Sequence, residues 1–138
     1  MKFTLIEPQT EAAFPFLESV KAGFPSPHEG HIEEKLDLNH FLIKHPAATF
    51  FVRVDGDSMQ NAHIYHNDIL IVDRALKPEH KSIIVAILNS EFTVKRLIIK
   101  DQKVFLAAEN AAFSPIEIKK EMDFAVWGVV TYIIHKAT

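Results

Sequence analysis

Two side chains in this 138-residue chain, Ser58 and Lys95, have the types and surroundings that nucleophilic catalysis requires. Ser58 lies in Gly56-Asp57-Ser58-Met59, directly after an apolar stretch, where the glycine permits a tight turn. A serine hydroxyl is a weak nucleophile at neutral pH unless a base accepts its proton. A neutral lysine can act as that base, so the pair is a candidate for serine hydrolase chemistry.

Lysine acts as a base only after it has lost its own proton. The unperturbed lysine pKa is ~10.4, so a pKa near 7 requires a bias on the order of 4–5 kcal/mol against the ammonium form. Burial among apolar side chains lowers a lysine pKa by up to about 3–5 units. On a strand, Lys95 shares one face with Thr93 and Leu97, whereas Arg96, which cannot deprotonate, lies on the other face. The alternation leaves open which face points inward.

Each of these features alone also has a purely structural interpretation. A Gly-Asp-Ser turn after a strand is usually only a turn, and a lysine in a strand usually faces solvent. Gln60 stands where the esterase nucleophile elbow has its second glycine, so the turn is not of that type. A non-enzymatic dimeric accessory protein, in which the Ser58 turn is only structural, is therefore an alternative.

The histidines offer two further interpretations. Ser58 with His63 or His66 would make a Ser-His hydrolase. The pairs His28/His31 and His63/His66 have three-residue spacing, which suits two zinc ligands on one helix face, but the chain has no cysteine to complete such a site. We therefore expect neither a metal nor another cofactor.

Residues 1–29 are predicted to form an extended N-terminal arm. They contain four prolines and no sustained apolar period. Phe24-Pro25-Ser26-Pro27 should be extended, because each proline fixes its own φ and moves the preceding residue out of the helical region. Just before it, Ala22-Gly23 forms a sterically small peptide bond. We expect the arm to lie on a larger body or to stay mobile.

Residues 30–138 are predicted to form a β-rich domain with one short helix. The helix is expected from Leu38 to His45, because Asp37 is a good N-cap and Pro46 stops it. Six stretches rich in β-branched and aromatic residues predict strands, at Thr49–Val54, Ile69–Val72, Ile83–Leu88, Phe92–Ile99, Val104–Ala107 and Val126–Ile134. The predicted fold class is therefore mainly β.

The composition limits the classes of function. Hydrophobic residues make up 48% of the chain, enough for one packed domain, and the net charge of −3 argues against direct binding to DNA. The absence of cysteine excludes disulfides and a cysteine nucleophile. The longest apolar run, Ile83–Leu88, is far shorter than the ~20 residues of a membrane span, and no signal-peptide segment is present. We therefore expect a cytoplasmic protein that is not bound to a membrane.

The Ser58 turn, the Lys95 strand and four further segments, in their order along the chain, resemble the LexA/UmuD family of self-cleaving Ser/Lys serine proteases. The spacing between Ser58 and Lys95, 37 residues, matches that family. The matching segments cover nearly the whole chain and are Ala22-Gly23-Phe24-Pro25-Ser26-Pro27, Asp37-Leu38-Asn39, Gly56-Asp57-Ser58-Met59, Asp68-Ile69-Leu70-Ile71-Val72-Asp73, Glu91-Phe92-Thr93-Val94-Lys95-Arg96-Leu97 and Gly128-Val129-Val130. The resemblance implies a LexA/signal-peptidase-like β domain.

The resemblance also implies a role for each site residue. Ser58 would be the nucleophile and Lys95 the general base. The scissile bond would be Ala22-Gly23, cut in the chain itself or in a dimer partner. Backbone amides at the Asp57-Ser58 turn would form the oxyanion hole.

The likeness is to the UmuD branch of the family, because residues 1–22 leave no room for a DNA-binding helical domain before the scissile bond. That branch implies that a RecA–single-stranded-DNA filament stimulates cleavage. The shortened homodimer would then join a UmuC-like polymerase in error-prone translesion DNA synthesis. The sequence departs from the family where Gly-Ile and then Gly-Asp are frequent, since it has Ala62-His63-Ile64 and Asn67-Asp68 there.

Overall fold

The computed structural model describes residues 13–17, 22–23 and 32–138, without the side chains of 32–34. The chain divides into two compact units, Met1–Lys44 and His45–Thr138. The segment 24–27, predicted to be extended, and the pair His28/His31 lie outside the described residues.

The first unit contains a two-stranded antiparallel sheet and a short helix. Strand β1, Ala13–Leu17, pairs with β2, Ile32–Asp37. The sequence predicted neither of these strands. Pro15 interrupts the pattern of a strand in β1; in the structure this proline is opposite Lys35 in a sheet of only two strands, where a missing N–H is tolerated.

Helix α1 runs from Leu38 to Leu42. The predicted N-cap is confirmed, since the Asp37 carboxylate accepts hydrogen bonds from the Asn39 and His40 backbone amides at 3.0 and 3.3 Å. The predicted end at His45 is wrong. Ile43 is already extended, and His45 precedes a proline, which excludes it from helical backbone.

The second unit is built on a seven-stranded antiparallel sheet in the order β3-β4-β9-β5-β6-β7-β8. A 3-10 turn, Pro46–Ala48, leads into it. Its strands are β3 Thr49–Arg53, β4 Ile69–Asp73, β5 Ile83–Leu88, β6 Glu91–Lys100, β7 Lys103–Ala107, β8 Ile116–Glu117 and β9 Phe124–Ile134. The six predicted strands are present within a few residues of their predicted ends. The two-residue β8 was missed because it is too short for a pattern to show. The fold class is mainly β, as predicted.

Both faces of the sheet carry buried apolar clusters. Neighbouring residues of β5 point to opposite faces, so Ile84 packs with Leu97 and Leu106 while Val85 packs with Leu70 and Val72. This two-sided burial explains why the β4 and β5 sequences are continuous apolar runs. Within the described ranges, no helix is long and apolar enough to cross a membrane.

The connection between β3 and β4 carries Ser58 and is anchored in the core. Met59 and Ile64 are 2% and 0% exposed and pack in the same cluster as Leu70. Burying each of these side chains contributes about 1.5–3 kcal/mol. The Ser58 backbone is therefore held by its immediate neighbour rather than left in a free loop.

Candidate active site

The structure brings Ser58 and Lys95 together. Lys95 Nζ donates a hydrogen bond to Ser58 Oγ at 3.2 Å. Ser58 lies in the connection that follows β3. Two hydrogen bonds of 2.8 Å join the ends of this connection: the Val54 amide donates to the Asp68 carbonyl, and the Asn67 amide donates to the Val54 carbonyl. Lys95 lies on β6, opposite Ile84 of β5. A loop thus presents the hydroxyl and a paired strand presents the amine.

The surroundings of Lys95 favour its neutral form. Burial lowers the pKa of the Lys95 ammonium from its ordinary value, because the charged form loses hydration. Among the described residues, no carboxylate forms an ion pair with this amine. The Lys95 Nζ atom also lies over the ring of Phe113, 5.8 Å from the ring centre.

Arg96, the next residue on β6, has a different environment. Its Nε lies 2.5 Å from a carboxylate oxygen of Glu109, and its Nη1 donates to the Lys81 carbonyl at 2.7 Å. The sequence left open which face of this strand is the reactive one. The structure places Lys95 beside the hydroxyl and gives Arg96 a counter-charge.

The loop keeps a left-handed backbone at both positions where the sequence departs from the family pattern. His63 has φ 62° and Asn67 has φ 73°. Asparagine and histidine are both found in this region several-fold more often than most residues other than glycine. The turn therefore keeps a conformation suited to glycine without having glycine.

Of the two histidines considered as a base for Ser58, His66 has other side-chain contacts. His66 Nδ1 accepts a hydrogen bond from the Gly56 amide at 3.1 Å and lies 3.4 Å from an Asp55 carboxylate oxygen. Neither His63 nor His66 bonds Ser58 in the part of the chain that the structure describes. In that same part, no three histidine, aspartate or glutamate side chains are grouped as ligands for a metal ion.

A cavity of about 440 Å³ opens beside Ser58. Its lining is mostly apolar, including Val52, Met59, Val94 and Trp127. The Phe92 ring stands edge-on to Trp127 with ring centres 5.7 Å apart, and this phenylalanine also lines the cavity. Arg53 and Asp55 add one charge of each sign to this lining.

The peptide group between Asp57 and Ser58 is held by two donors. The Asp57 carbonyl accepts hydrogen bonds from Asn110 Nδ2 at 3.0 Å and from the Gln60 amide at 3.2 Å. Sequence reasoning did not identify Asn110, nor Phe113 beside Lys95. The only signal was the polar pair Glu109-Asn110, two residues after the end of an apolar strand, and nothing in that pattern indicates which distant turn it contacts.

The predicted scissile residues, Ala22 and Gly23, belong to the first unit. Both are exposed and lie in a bend. Gly23 has φ 94°, a left-handed backbone conformation that glycine adopts without steric penalty.

The chain is similar to several known proteins along most of its length. The family model described as Peptidase S24-like matches residues 15–131. Protein SamA from Salmonella typhimurium strain LT2 is 45% identical over 94% of this chain and 90% of its own length. Protein ImpA from Escherichia coli is 43% identical over 88% of this chain and 82% of its own length. LexA repressor 1 from Pseudomonas putida is 36% identical over 91% of this chain and 62% of its own length.

These matches, with the β fold, define the class: the chain belongs to the Peptidase S24-like family, and within it to the UmuD-like members of the LexA/UmuD group. Its general activity is that of an autoproteolytic serine protease. Its biological setting is the SOS response, mutagenesis and DNA repair.

Proposed function

We propose that the protein cuts its own Ala22-Gly23 bond with Ser58 as nucleophile and Lys95 as general base. The observation that carries this proposal is the 3.2 Å hydrogen bond between Lys95 Nζ and Ser58 Oγ, formed by an amine without a counter-charge in the described chain. Cleavage removes residues 1–22 from the arm, which comprises residues 1–29. The protease domain, residues 30–138, stays intact.

The chemistry proceeds in two steps. Neutral Lys95 takes the Ser58 hydroxyl proton as Oγ bonds to the Ala22 carbonyl carbon, and the carbonyl oxygen becomes an oxyanion. The C–N bond to Gly23 then breaks, and the Lys95 ammonium returns the proton to the departing Gly23 amine. In the second step Lys95 deprotonates a water molecule, which attacks the acyl carbon; the bond from that carbon to Oγ breaks, and the Lys95 ammonium returns the proton to Ser58 Oγ as the Ala22 carboxyl group is released. Backbone amides at the Asp57-Ser58 turn stabilise the oxyanion in both steps.

Self-cleavage needs only a modest catalyst, because tethering raises the effective concentration of the scissile bond. Docking of the arm is then the controlled event. An activator that favours the docked arm by ~1.4 kcal/mol raises a small reactive population about tenfold.

Membership of the UmuD-like group supports the choice of partners. The activator is a RecA–single-stranded-DNA filament. The product is a shortened homodimer that joins a UmuC-like DNA polymerase in error-prone translesion synthesis, in the cytoplasm and without binding DNA directly.

Incubation of the purified full chain at mildly alkaline pH tests the proposal. Mass spectrometry should find a fragment that begins at Gly23, and the rate should rise with pH through the lowered pKa of Lys95. Ser58→Ala and Lys95→Ala should each reduce the rate on the order of 10³-fold while the chain stays folded.

His66→Ala is the matched control, since this histidine contacts the same loop without touching Ser58, and it should keep cleaving. Cleavage in Lys95→Ala at the wild-type rate would refute the dyad, and loss in His66→Ala alone would favour the Ser-His hydrolase. A wild-type chain that stays intact at every pH, with and without the filament, would instead indicate a non-enzymatic accessory protein.

A further inference from the structure

Ser58 and Lys95 reach each other from separate parts of the second unit, so their relative position must be maintained by other contacts. Ser58 lies between β3 and β4, whereas Lys95 lies on β6. The segment Glu109–Phe113, which follows β7, contacts both parts.

Two hydrogen bonds from this segment reach the loop on either side of Ser58. Asn110 Nδ2 donates to the Asp57 carbonyl oxygen at 3.0 Å. The Glu109 carbonyl accepts from the Asn61 amide at 2.7 Å. The loop is therefore tied to the segment immediately before and shortly after the nucleophile.

The same segment also contacts β6. The Phe113 ring faces Lys95 Nζ at 5.8 Å, and the Glu109 carboxylate pairs with Arg96 at 2.5 Å. A single short stretch of chain thus contacts both the loop with the hydroxyl and the strand with the amine, in addition to the core packing of Met59.

The bond from Asn110 acts on the peptide group of greatest importance for the reaction. The Asp57 carbonyl and the Ser58 N–H belong to one planar trans peptide and point in opposite directions. Holding the carbonyl therefore sets the direction of the Ser58 N–H. Accepting a hydrogen bond at the carbonyl also polarises the peptide and strengthens its N–H as a donor.

The Asn110 amide is itself oriented. Its Oδ1 accepts a hydrogen bond from the Ala112 amide at 3.0 Å. Since a backbone N–H must face the oxygen end of the side-chain amide, the NH₂ end is the one that faces Asp57.

We propose that Asn110 is a positioning residue for self-cleavage: its side-chain amide holds the Asp57–Ser58 peptide so that the Ser58 N–H faces the developing oxyanion. This inference rests on the proposed function, in which that N–H is an oxyanion donor. Asn110 acts through the peptide and does not touch the substrate.

Asn110→Ala and Asn110→Asp test the proposal through the pH profile of self-cleavage. Each should lower the rate on the alkaline plateau by about 10–100-fold, because a misdirected oxyanion donor slows the step at every pH. In Asn110→Ala the pH midpoint should stay at the wild-type value, since Lys95 is untouched. Asn110→Asp keeps an acceptor for the Ala112 amide but loses the donor, so its plateau should fall as well.

Asn89→Asp is the matched control. Asn89 lies on the turn between β5 and β6, and its Oδ1 accepts a hydrogen bond from the Asp123 amide at 3.2 Å, a bond that aspartate retains. This variant makes the same chemical change away from Ser58 and should cleave at the wild-type rate.

A second measurement uses a fluorophosphonate, which labels an active serine without the arm and also develops an oxyanion. Labelling of Ser58 should slow in Asn110→Ala by a similar factor, with urea unfolding showing a folded chain at the same pH. The inference would be overturned if Asn110→Ala kept the wild-type plateau rate of cleavage and the wild-type labelling rate. It would also be overturned if the loss of rate were no larger than the unfolded fraction of the variant. A shifted pH midpoint with an unchanged plateau rate would overturn it as well. A wild-type chain that neither cleaves nor labels would overturn the proposed function, and this inference with it.

Discussion

Two regions of the second unit take ionisable side chains out of water, and they treat the charge in opposite ways. In the first, Lys95 is partly buried with a neutral hydroxyl and an aromatic ring as neighbours, and burial lowers its pKa. No carboxylate compensates for the lost hydration among the described residues. The charged form is therefore the disfavoured one.

In the second region, at the two ends of β4, buried carboxylates have hydrogen-bonding partners. Asp73 is 4% exposed and accepts hydrogen bonds from His45 Nδ1 at 2.6 Å and from the Ala75 amide at 2.8 Å. Burial by itself would raise the pKa of Asp73, but these hydrogen bonds outweigh it and hold the pKa below its usual range. Asp68, at the other end, is paired in the same way with His135.

The difference teaches what separates a candidate base from a structural charge in this fold. Asp73 is the more deeply buried of the two, yet it is the group that stays charged. What differs is the partner: histidine and backbone amides keep the aspartate ionised, whereas a hydroxyl and a phenyl ring leave the lysine ready to lose its proton. Exchanging the partners should exchange the behaviour.

The largest effect is expected from giving Lys95 a counter-charge with Phe113→Glu. The Phe113 side chain is 47% exposed, so the change spares the core, and it places a carboxylate close to Nζ. An opposite charge within a few ångströms raises a lysine pKa by about 1–3 units. Self-cleavage near pH 7 should therefore slow by about 10–1,000-fold and recover at higher pH.

Phe113→Gln controls for loss of the ring without adding charge. The two variants should have different pH midpoints, measured from cleavage rates between pH 6 and 11. Identical profiles for the glutamate and glutamine variants would show that the charge state of Lys95 does not limit the reaction.

A smaller effect is expected from removing the partner of Asp73 with His45→Ala. The lowered pKa of Asp73 means that its contribution to folding is present above pH 3.8 and is lost as pH falls through the folded-state value. Losing the histidine should destabilise the chain by about 1–2 kcal/mol at pH 7, as for a hydrogen bond to a charged group. The difference from wild type should shrink as pH falls below 3.8 and through the lowered folded-state pKa of Asp73.

Urea unfolding at pH 7 and pH 3 measures this, with His40→Ala, an exposed histidine on α1, as the control. An equal loss at both pH values would mean that the histidine acts through packing rather than through the carboxylate.

The smallest effect is expected from Lys95→Met, which keeps the volume and removes the charge. Because the folded-state pKa of Lys95 lies below the unfolded value, the unfolded chain binds more protons between the two, and wild-type stability rises with pH across that window. Below the window the buried ammonium lowers stability. Methionine should therefore raise the free energy of unfolding at pH 7 by about 0.5–1 kcal/mol, a common gain when a destabilising charge is removed from an active site.

The comparison is made in a Ser58→Ala background, so that cleavage does not intervene, with Lys100→Met as a control on the exposed end of β6. The gain should diminish as pH rises from 7 to 10. If the gain in the free energy of unfolding does not change with pH, or if Lys100→Met shows the same gain, burial of the Lys95 ammonium does not lower stability in the way expected here.

Much of the fold followed from local patterns. The six long strands and the Asp37 N-cap were predicted correctly because β-branched runs and capping side chains act within a few residues. The paired strands β1 and β2, the two-residue β8 and the early end of α1 were not, since pairing across the sheet and the chain direction before Pro46 decide them. At the candidate site, the proximity of Ser58 and Lys95 was expected, while Asn110 and Phe113 were not.

The amino-acid sequence by itself determined which side chains are chemically able to act: one serine after a glycine turn, and a lysine next to an arginine on an apolar strand. Alternation along β6 places the lysine and the arginine on opposite faces of the strand, but it does not show which face points toward Ser58. Only tertiary structure decided that Lys95 points at Ser58 and Arg96 at Glu109, because the direction is set by the loop after β3 and the segment after β7. Those contacts join residues far apart in the chain, and their energy exists only when the sheet is assembled.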